Sequence, residues 1–332
     1  MNIVFFEIQG WEKDYLKKSL KGHKITFSSE PLTTKNVAQT RDAEVISVFV
    51  YSKTDKKILS KLSKLKLITT RSTGFDHIDL KATASKKITV CNVPFYGENT
   101  VAEHTFALIL ALSRNVHKSY VRTLKDDFSI DGLIGFDLKG KTLGVIGAGH
   151  IGMHVIKMAK GFGMNVLAFD MHRDAFLKEV LDYEYASIDT ILKKSDIISL
   201  HVPYNKHTHH LIGREEFKKI KKGAILINTA RGAIVDTDAL IKAIENGRLG
   251  GAGLDVLEGE ELIKEEKQIL YSKTSPEKLK QIAKDQYLLD KENVVYTPHI
   301  AFYSKEALQR IIETTAENIK SFSTGSPKNL VK

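Results

Sequence analysis

The stretch Leu143-Gly144-Val145-Ile146-Gly147-Ala148-Gly149-His150-Ile151-Gly152 constrains the fold more than any other part of the chain. An apolar run with strand character enters a Gly-x-Gly-x-x-Gly turn and leaves through a helix-like segment. In such a turn Gly147 permits the tight bend and Gly149 lets backbone approach a pyrophosphate. Gly152 lets helix and strand pack closely, and the helix N-terminus offers N–H groups to phosphates. The glycine pattern alone is weak, but its context adds a second strand, Asn165-Val166-Leu167-Ala168-Phe169, ending on Asp170, 18 residues past Gly152. A carboxylate there suits the ribose hydroxyls of NAD and repels the 2′-phosphate of NADP. The motif usually opens a domain, yet some 140 residues precede it.

Composition narrows the class. The 332 residues exceed the roughly 100–200 of one typical domain. With 42% hydrophobic residues the chain buries a sizeable core, so two domains are expected. The net charge of +10 comes from lysines dispersed through helix-like segments. No arginine-rich block or interleaved aromatic run marks a nucleic-acid surface, and solvated lysine faces are the simpler reading. Cys91 is the single cysteine, which excludes a disulfide framework and a thiolate metal site. The N-terminal apolar run is too short for a signal peptide, and no run approaches the length of a membrane span. A cytoplasmic, soluble protein is expected.

Strands are expected at residues 3–8, Lys24–Ser28, Val45–Val50, Leu67–Thr70 and Val90–Val93, with helices at 11–21 and 55–64. This alternation implies parallel pairing and a first α/β unit of about 100 residues. An apolar helix follows, capped by Asn99 or Thr100 and running to about Val116; being apolar on most faces, it belongs to a core or an interface. Beyond the glycine motif, strands recur at Ile197–Val202, Ala224–Asn228, Gly253–Val256 and Val294–Tyr296. Between them lies a helix that Asp236 caps and Gly247 ends. These are the beats of a doubly wound sheet. Residues 261–292 break the rhythm and read as a charged surface insertion, two helices of solvated decoration. A helix is expected at 303–320, with the last dozen residues a loosely held end.

A nicotinamide cofactor implies hydride transfer, so the chain must also supply a proton donor and a grip on the substrate. Arg231 follows the strand Ala224–Asn228, and its planar fork suits bidentate capture of a carboxylate. Asp255 ends another strand and is followed by Glu258 and Glu260, either of which suits orienting a histidine. His299, after Val294–Tyr296, suits protonating a ketone oxygen or accepting a hydroxyl proton. His201 and Pro203 end a further strand and suit a wall of the nicotinamide pocket. His207, His209 and His210 lack nearby acids or cysteines in ligand spacing, so a solvated loop is expected there and no metal site.

These strings, with Asn92-Val93-Pro94-Phe95-Tyr96 and Val101-Ala102-Glu103-His104, resemble the D-isomer-specific 2-hydroxyacid dehydrogenase family over nearly the whole chain, and most resemble its D-lactate dehydrogenase branch. The resemblance implies an α/β fold of two Rossmann-like or flavodoxin-like domains. Residues 1–99 and 300–332 would form the substrate domain. Residues 100–299 would form an inserted NAD domain with a doubly wound parallel sheet. It implies a catalytic trio of Arg231 on the substrate carboxylate, His299 as acid and base, and Glu260 as its carboxylate partner. NAD contacts carry over onto Gly147, Gly149, His150, Ile151, Gly152, Asp170, His201, Val202, Pro203, Thr208, Thr229, Ala230 and Asp255. Substrate contacts carry over onto Thr73 and Gly74, with Tyr96 and Phe302 walling a small side-chain pocket. A homodimer is implied, with the helix after Asn99 at its interface. The expected activity is reversible reduction of a small 2-oxo acid, pyruvate first. The alternatives are a glyoxylate, hydroxypyruvate or phosphoglycerate dehydrogenase on the same scaffold, or a non-enzymatic NAD-sensing, corepressor-like scaffold.

Overall fold

The computed structural model describes residues 1–259 and 276–331. The chain divides into two compact units, one made of residues 1–97 and 304–332, the other of residues 98–303.

The first unit carries β1 (Asn2–Phe5), β2 (Lys24–Phe27), β3 (Val45–Val48), β4 (Leu67–Thr70) and β5 (Thr89–Cys91). They pair in the order β2-β1-β3-β4-β5, and every pairing is parallel. β3 and β4 are buried at every position, which is why they read as continuous apolar or small-residue runs rather than alternating ones. One face packs under the helices Gly10–Ser19 and Lys305–Ser323, whose Leu16, Ile312, Ala316 and Ile319 join Ile3 and Phe5 in one cluster. The helix expected over 55–64 shrinks to Lys56–Leu59, which Asp55 caps through the N–H of Ile58.

The C-terminal residues are not loosely held. Val331 donates its N–H to Val90 O at 2.9 Å, Asn92 donates to Asn329 O at 3.1 Å, and Cys91 bridges Leu330 in antiparallel fashion. The otherwise open edge of β5 is thereby covered, which is what an unpaired strand edge requires.

The second unit carries β6 (Thr142–Ile146), β7 (Asn165–Phe169), β8 (Glu184–Tyr185), β9 (Ile197–Leu200), β10 (Ala224–Asn228), β11 (Leu249–Leu254) and β12 (Val294–Tyr296). The order β12-β11-β10-β9-β6-β7-β8, parallel throughout, is that of a doubly wound Rossmann sheet. The chain starts at β6, builds outward to β8, then returns to β9 and builds the other way. The topological switch therefore falls between β6 and β9, where ligands bind such sheets at the carboxyl ends.

β11 is longer than the expected Gly253–Val256 and starts at Leu249. Its three glycines carry little strand signal but are needed sterically. A Cβ on Gly251 would meet Asn293 O at 2.8 Å, and one on Gly253 would meet Ile227 Cδ1 at 2.8 Å and Leu108 Cβ at 3.0 Å. The apolar helix expected from Asn99 begins at Glu98 and ends at Ser113. Asn99 lies inside it and donates to Glu103 at 3.0 Å, four residues on, instead of capping. Ala102, Phe106, Leu108 and Ile109 of this helix are buried in the core of the same unit. The larger exposed apolar side chains come later, on the helix Val116–Thr123 and the segment after it.

Part of the expected insertion, residues 261–275, lies outside the described residues. The remainder is a helix, Pro276–Leu289, and it is no solvated decoration. Leu288 is fully buried in the core beside Leu240 and Ile244, and Tyr287 donates to Glu245 at 2.5 Å. Burying that one leucine stabilises the docked helix by about 1.5–3 kcal/mol.

Candidate active site

The glycine turn takes the shape its sequence demands. Gly147 has φ +100°, open to glycine and strained for other residues, and a Cβ there would stand 2.7 Å from the backbone of His201. The turn from β6 is thus wedged against the end of β9, across the topological switch. Gly152 faces back onto the backbone of Gly147, leaving no room for a side chain. Gly149 is the N-cap of the helix His150–Gly161, and nothing lies within 4 Å of where its Cβ would be. First-turn N–H groups have no acceptor within their own helix, so the open space at Gly149 is suited to an anion. Asp170 lies just past β7, the strand beside β6, and accepts the N–H of His172 at 2.9 Å. A phosphate-binding helix end with a carboxylate one strand away fits the pyrophosphate and ribose of a dinucleotide.

The next loop along, after β9, contains His201. Its Nε2 lies 2.7 Å from Ser199 Oγ, and desolvation pushes its pKa down to about 3, so the ring is neutral at ordinary pH. Past Val202, Thr208 closes the loop by donating to Pro203 O at 2.7 Å and accepting from Asn205 N at 2.8 Å. His207 and His209 are exposed as expected. His210 departs from that reading: its Nε2 meets Glu258 Oε1 at 2.8 Å, and Thr237 donates to the other oxygen at 3.2 Å. No group of three or more His, Cys, Asp or Glu side chains suited to a metal ion occurs among the described residues.

Arg231, Asp255 and His299 each lie just beyond the carboxyl end of one of three adjacent strands, β10, β11 and β12. After β10, Asn228 shapes the turn, accepting from Ala230 N and donating to Arg231 O, both at 3.0 Å. The Arg231 guanidinium donates to Ala230 O at 2.8 Å. Thr229 Oγ1 lies 3.1 Å from Thr105 Oγ1, tying this turn to the apolar helix. Gly232 packs directly on the backbone at Leu257 and Glu258, so the Arg231 turn rests against the loop leaving β11. After β12, His299 adopts φ +57°, and its N–H bonds both Asp255 O at 2.8 Å and Thr297 O at 2.9 Å. Phe302 sits edge-on to its ring, with centroids 6.4 Å apart. Glu260 lies outside the described residues. Glu258, the other carboxylate of that loop, is already engaged by His210 and Thr237.

In the first unit, Thr73 and Gly74 belong to a braced loop after β4. Thr73 donates to Val93 O at 2.9 Å, Asn92 donates to Thr73 O at 2.9 Å, and Ser72 donates to Gly74 O at 2.6 Å. Beneath it the buried Arg71 donates to Phe6 O and Glu7 O at 2.7 Å. Tyr96 O accepts from Arg310 Nε at 2.6 Å.

Two side chains that sequence reasoning passed over stand next to this chemistry. His104 and Thr297 contact each other at 2.8 Å and reach the Asp255 carboxylate. In the sequence His104 appears only as the end of the family-like string Val101-Ala102-Glu103-His104, with no role attached to it.

A family model for the D-isomer specific 2-hydroxyacid dehydrogenase NAD binding domain matches residues 106–301. The chain is 40% identical to 2-hydroxyacid dehydrogenase homolog 1 of Schizosaccharomyces pombe and 35% identical to D-lactate dehydrogenase of Escherichia coli, with all of each chain covered. It is also similar to the crystal structure of Aquifex aeolicus D-lactate dehydrogenase complexed with NAD and lactic acid. There the TM-score is 0.90 and the identity 42%, over 98% of this chain and 96% of that one. The chain belongs to the D-isomer-specific 2-hydroxyacid dehydrogenase family. Within it the chain is D-lactate dehydrogenase-like, an oxidoreductase that uses NAD.

Proposed function

We propose that this enzyme reversibly reduces pyruvate to D-lactate. The observation that carries the reading is the placing of Arg231, Asp255 and His299 at three adjacent strand ends beside the dinucleotide turn. The similarity to an enzyme crystallised with lactic acid supports the choice of substrate. When bound, NAD supplies the group that gives hydride to substrate C2, or takes it back. Arg231 grips the substrate carboxylate and polarises the keto oxygen with its planar fork. His299 gives its proton to that oxygen in reduction and takes it back in oxidation. Glu260 holds the imidazolium by its negative charge. Gly147, Gly149, His150, Ile151 and Gly152 take the pyrophosphate, and Asp170 takes the ribose. His201, Val202, Pro203, Thr208, Thr229, Ala230 and Asp255 line the remainder of the cofactor site. Thr73, Gly74, Tyr96 and Phe302 are the substrate contacts implied by the family resemblance.

We further propose a homodimer, supported by the exposed apolar side chains Val116, Tyr120, Leu124, Phe128, Ile130 and Ile134, which are 54–93% exposed in one chain.

The test is NADH oxidation followed at 340 nm (about the nicotinamide absorbance maximum) with pyruvate, glyoxylate, hydroxypyruvate and branched 2-oxo acids. Highest kcat/KM with pyruvate is expected. A higher value with another acid would reassign the substrate, and no turnover with any would leave a non-enzymatic NAD-binding scaffold.

A further inference from the structure

The loop that carries His299 is anchored through the side chain of Asp255 and the main chain beside it. Asp255 is fully buried, and its two carboxylate oxygens accept the N–H of Ile300 and the N–H of Ala301, each at 2.9 Å. Thr297 donates its hydroxyl to Oδ1 of the same carboxylate at 2.5 Å. The main chain adds His299 N to Asp255 O at 2.8 Å and Thr297 N to Leu254 O at 2.9 Å. Between these anchors His299 holds φ +57°, a left-handed conformation that is strained for a residue with a Cβ. Such a conformation persists only where its surroundings over-determine it. Here five hydrogen bonds to Leu254 and Asp255 supply that constraint.

His104 completes the arrangement from the helix Glu98–Ser113. Its Nε2 lies 2.8 Å from Thr297 Oγ1 and 3.5 Å from Asp255 Oδ1. Counting protons fixes the direction of this contact. An ionised carboxylate only accepts, and a threonine hydroxyl has one proton to give. That proton goes to Asp255, so the Thr297 oxygen faces His104 as an acceptor and His104 Nε2 carries the hydrogen. Burial holds the His104 pKa below its ordinary value even though the Asp255 charge pulls the other way. A neutral imidazole still donates one N–H, so the chain runs in one direction, from His104 through Thr297 to Asp255.

We propose that His104 is a positioning residue for the reaction: donating to Thr297, it orients the hydroxyl toward Asp255 and so holds the His299 loop in its left-handed turn. The proposal rests on the reading of His299 as the acid and base. His104 acts through Thr297, and its effect is on the geometry of proton transfer rather than on cofactor binding. Small displacements of a reacting group lower turnover steeply, so the effect belongs in kcat.

The test compares His104→Phe, which keeps a ring but loses the donor, with His104→Gln, whose amide N–H has a similar reach. In His104→Phe, kcat for 2-oxo acid reduction is expected to fall about tenfold while KM for NADH changes less than about twofold. Hydrogen exchange at the Ile300 and Ala301 amides should quicken by about tenfold in parallel. His104→Gln should restore most of both. If His104→Phe does not fold, Thr297→Val breaks the same chain and is read the same way. Unchanged kcat and exchange in the donor-less variant, or equal damage in Phe and Gln, would overturn the proposal. His299→Asn is the separate control: retained turnover there removes the acid–base reading, and with it the role of His104 in the reaction. The exchange rates at Ile300 and Ala301 report on the hydrogen-bond chain independently of that control.

Discussion

Gly152 and Gly147 are in such close contact that a single methyl group on Gly152 overlaps the carbonyl oxygen of Gly147. The obstructing atom is backbone, at the wedge between β6 and the end of β9, so it cannot rotate away. Gly152→Ala is expected to destabilise the protein by about 1–3 kcal/mol, the typical cost of overpacking. Calorimetry should show a lowered Tm, and fluorescence titration should show NADH binding weakened by at least about tenfold. A variant with parental Tm and affinity would mean that the turn relaxes without cost.

In the proposed cofactor site, Asp170 would set a negative charge against the ribose. A 2′-phosphate meeting it suffers like-charge repulsion of several kcal/mol, so NADH should be preferred over NADPH by about a hundredfold or more in kcat/KM. Asp170→Ser should narrow the gap chiefly by improving NADPH. Equal efficiencies in the parent enzyme would exclude Asp170 from that role.

Arg231 follows the carboxyl end of β10, and its guanidinium donates to Ala230 O at 2.8 Å; in the proposed site it grips the substrate carboxylate. Arg231→Lys keeps the charge but loses the paired donors, and should lower kcat/KM for pyruvate by about a hundredfold or more. Steady-state kinetics check this, and near-parental turnover would take Arg231 out of substrate binding.

The proposed Glu260–His299 pair is tested by removing its charge. Glu260→Gln takes away the carboxylate that would face the imidazolium, and should lower kcat for pyruvate reduction by about tenfold or more. Parental kcat would argue against the pair.

Cys91, inside β5, has its thiol pushed up to about 11 by burial. At pH 8 only about 0.1% of it would be thiolate. Alkylation by iodoacetamide should be negligible in the native protein and rapid in urea. Fast labelling of the native protein would show that the covered β5 edge opens readily.

Much of this architecture was legible because its signals are local. Val294–Tyr296 and Ala224–Asn228 are short apolar runs in parallel strands, and Asp236 and Gly247 bound their helix as expected. The errors arose where a contact with a distant element decides the structure. Gly250, Gly251 and Gly253 carry no strand propensity, yet the neighbouring Gly223, Asn293, Ile227 and Leu108 leave room for nothing larger at any of them. Asn99 is a good cap in isolation, but the helix already starts at Glu98. Leu288 lies in a charged segment whose burial depends on Leu240 and Ile244, far away in sequence. For the same reason the strand-end residues Arg231, Asp255 and His299 stood out. His104, almost 200 residues from its partner Thr297, did not.

The pairing of the last residues with β5 has a bearing on how the chain comes off the ribosome. Ile3, Phe5 and Leu16 share a core with Ile312, Ala316 and Ile319, so the earliest-made strands wait for a helix made some 300 residues later. Every strand of the Rossmann sheet, by contrast, emerges before that helix does. One face of the first unit's core is therefore completed only by the end of the polypeptide, whereas the whole Rossmann sheet is available before that end is made.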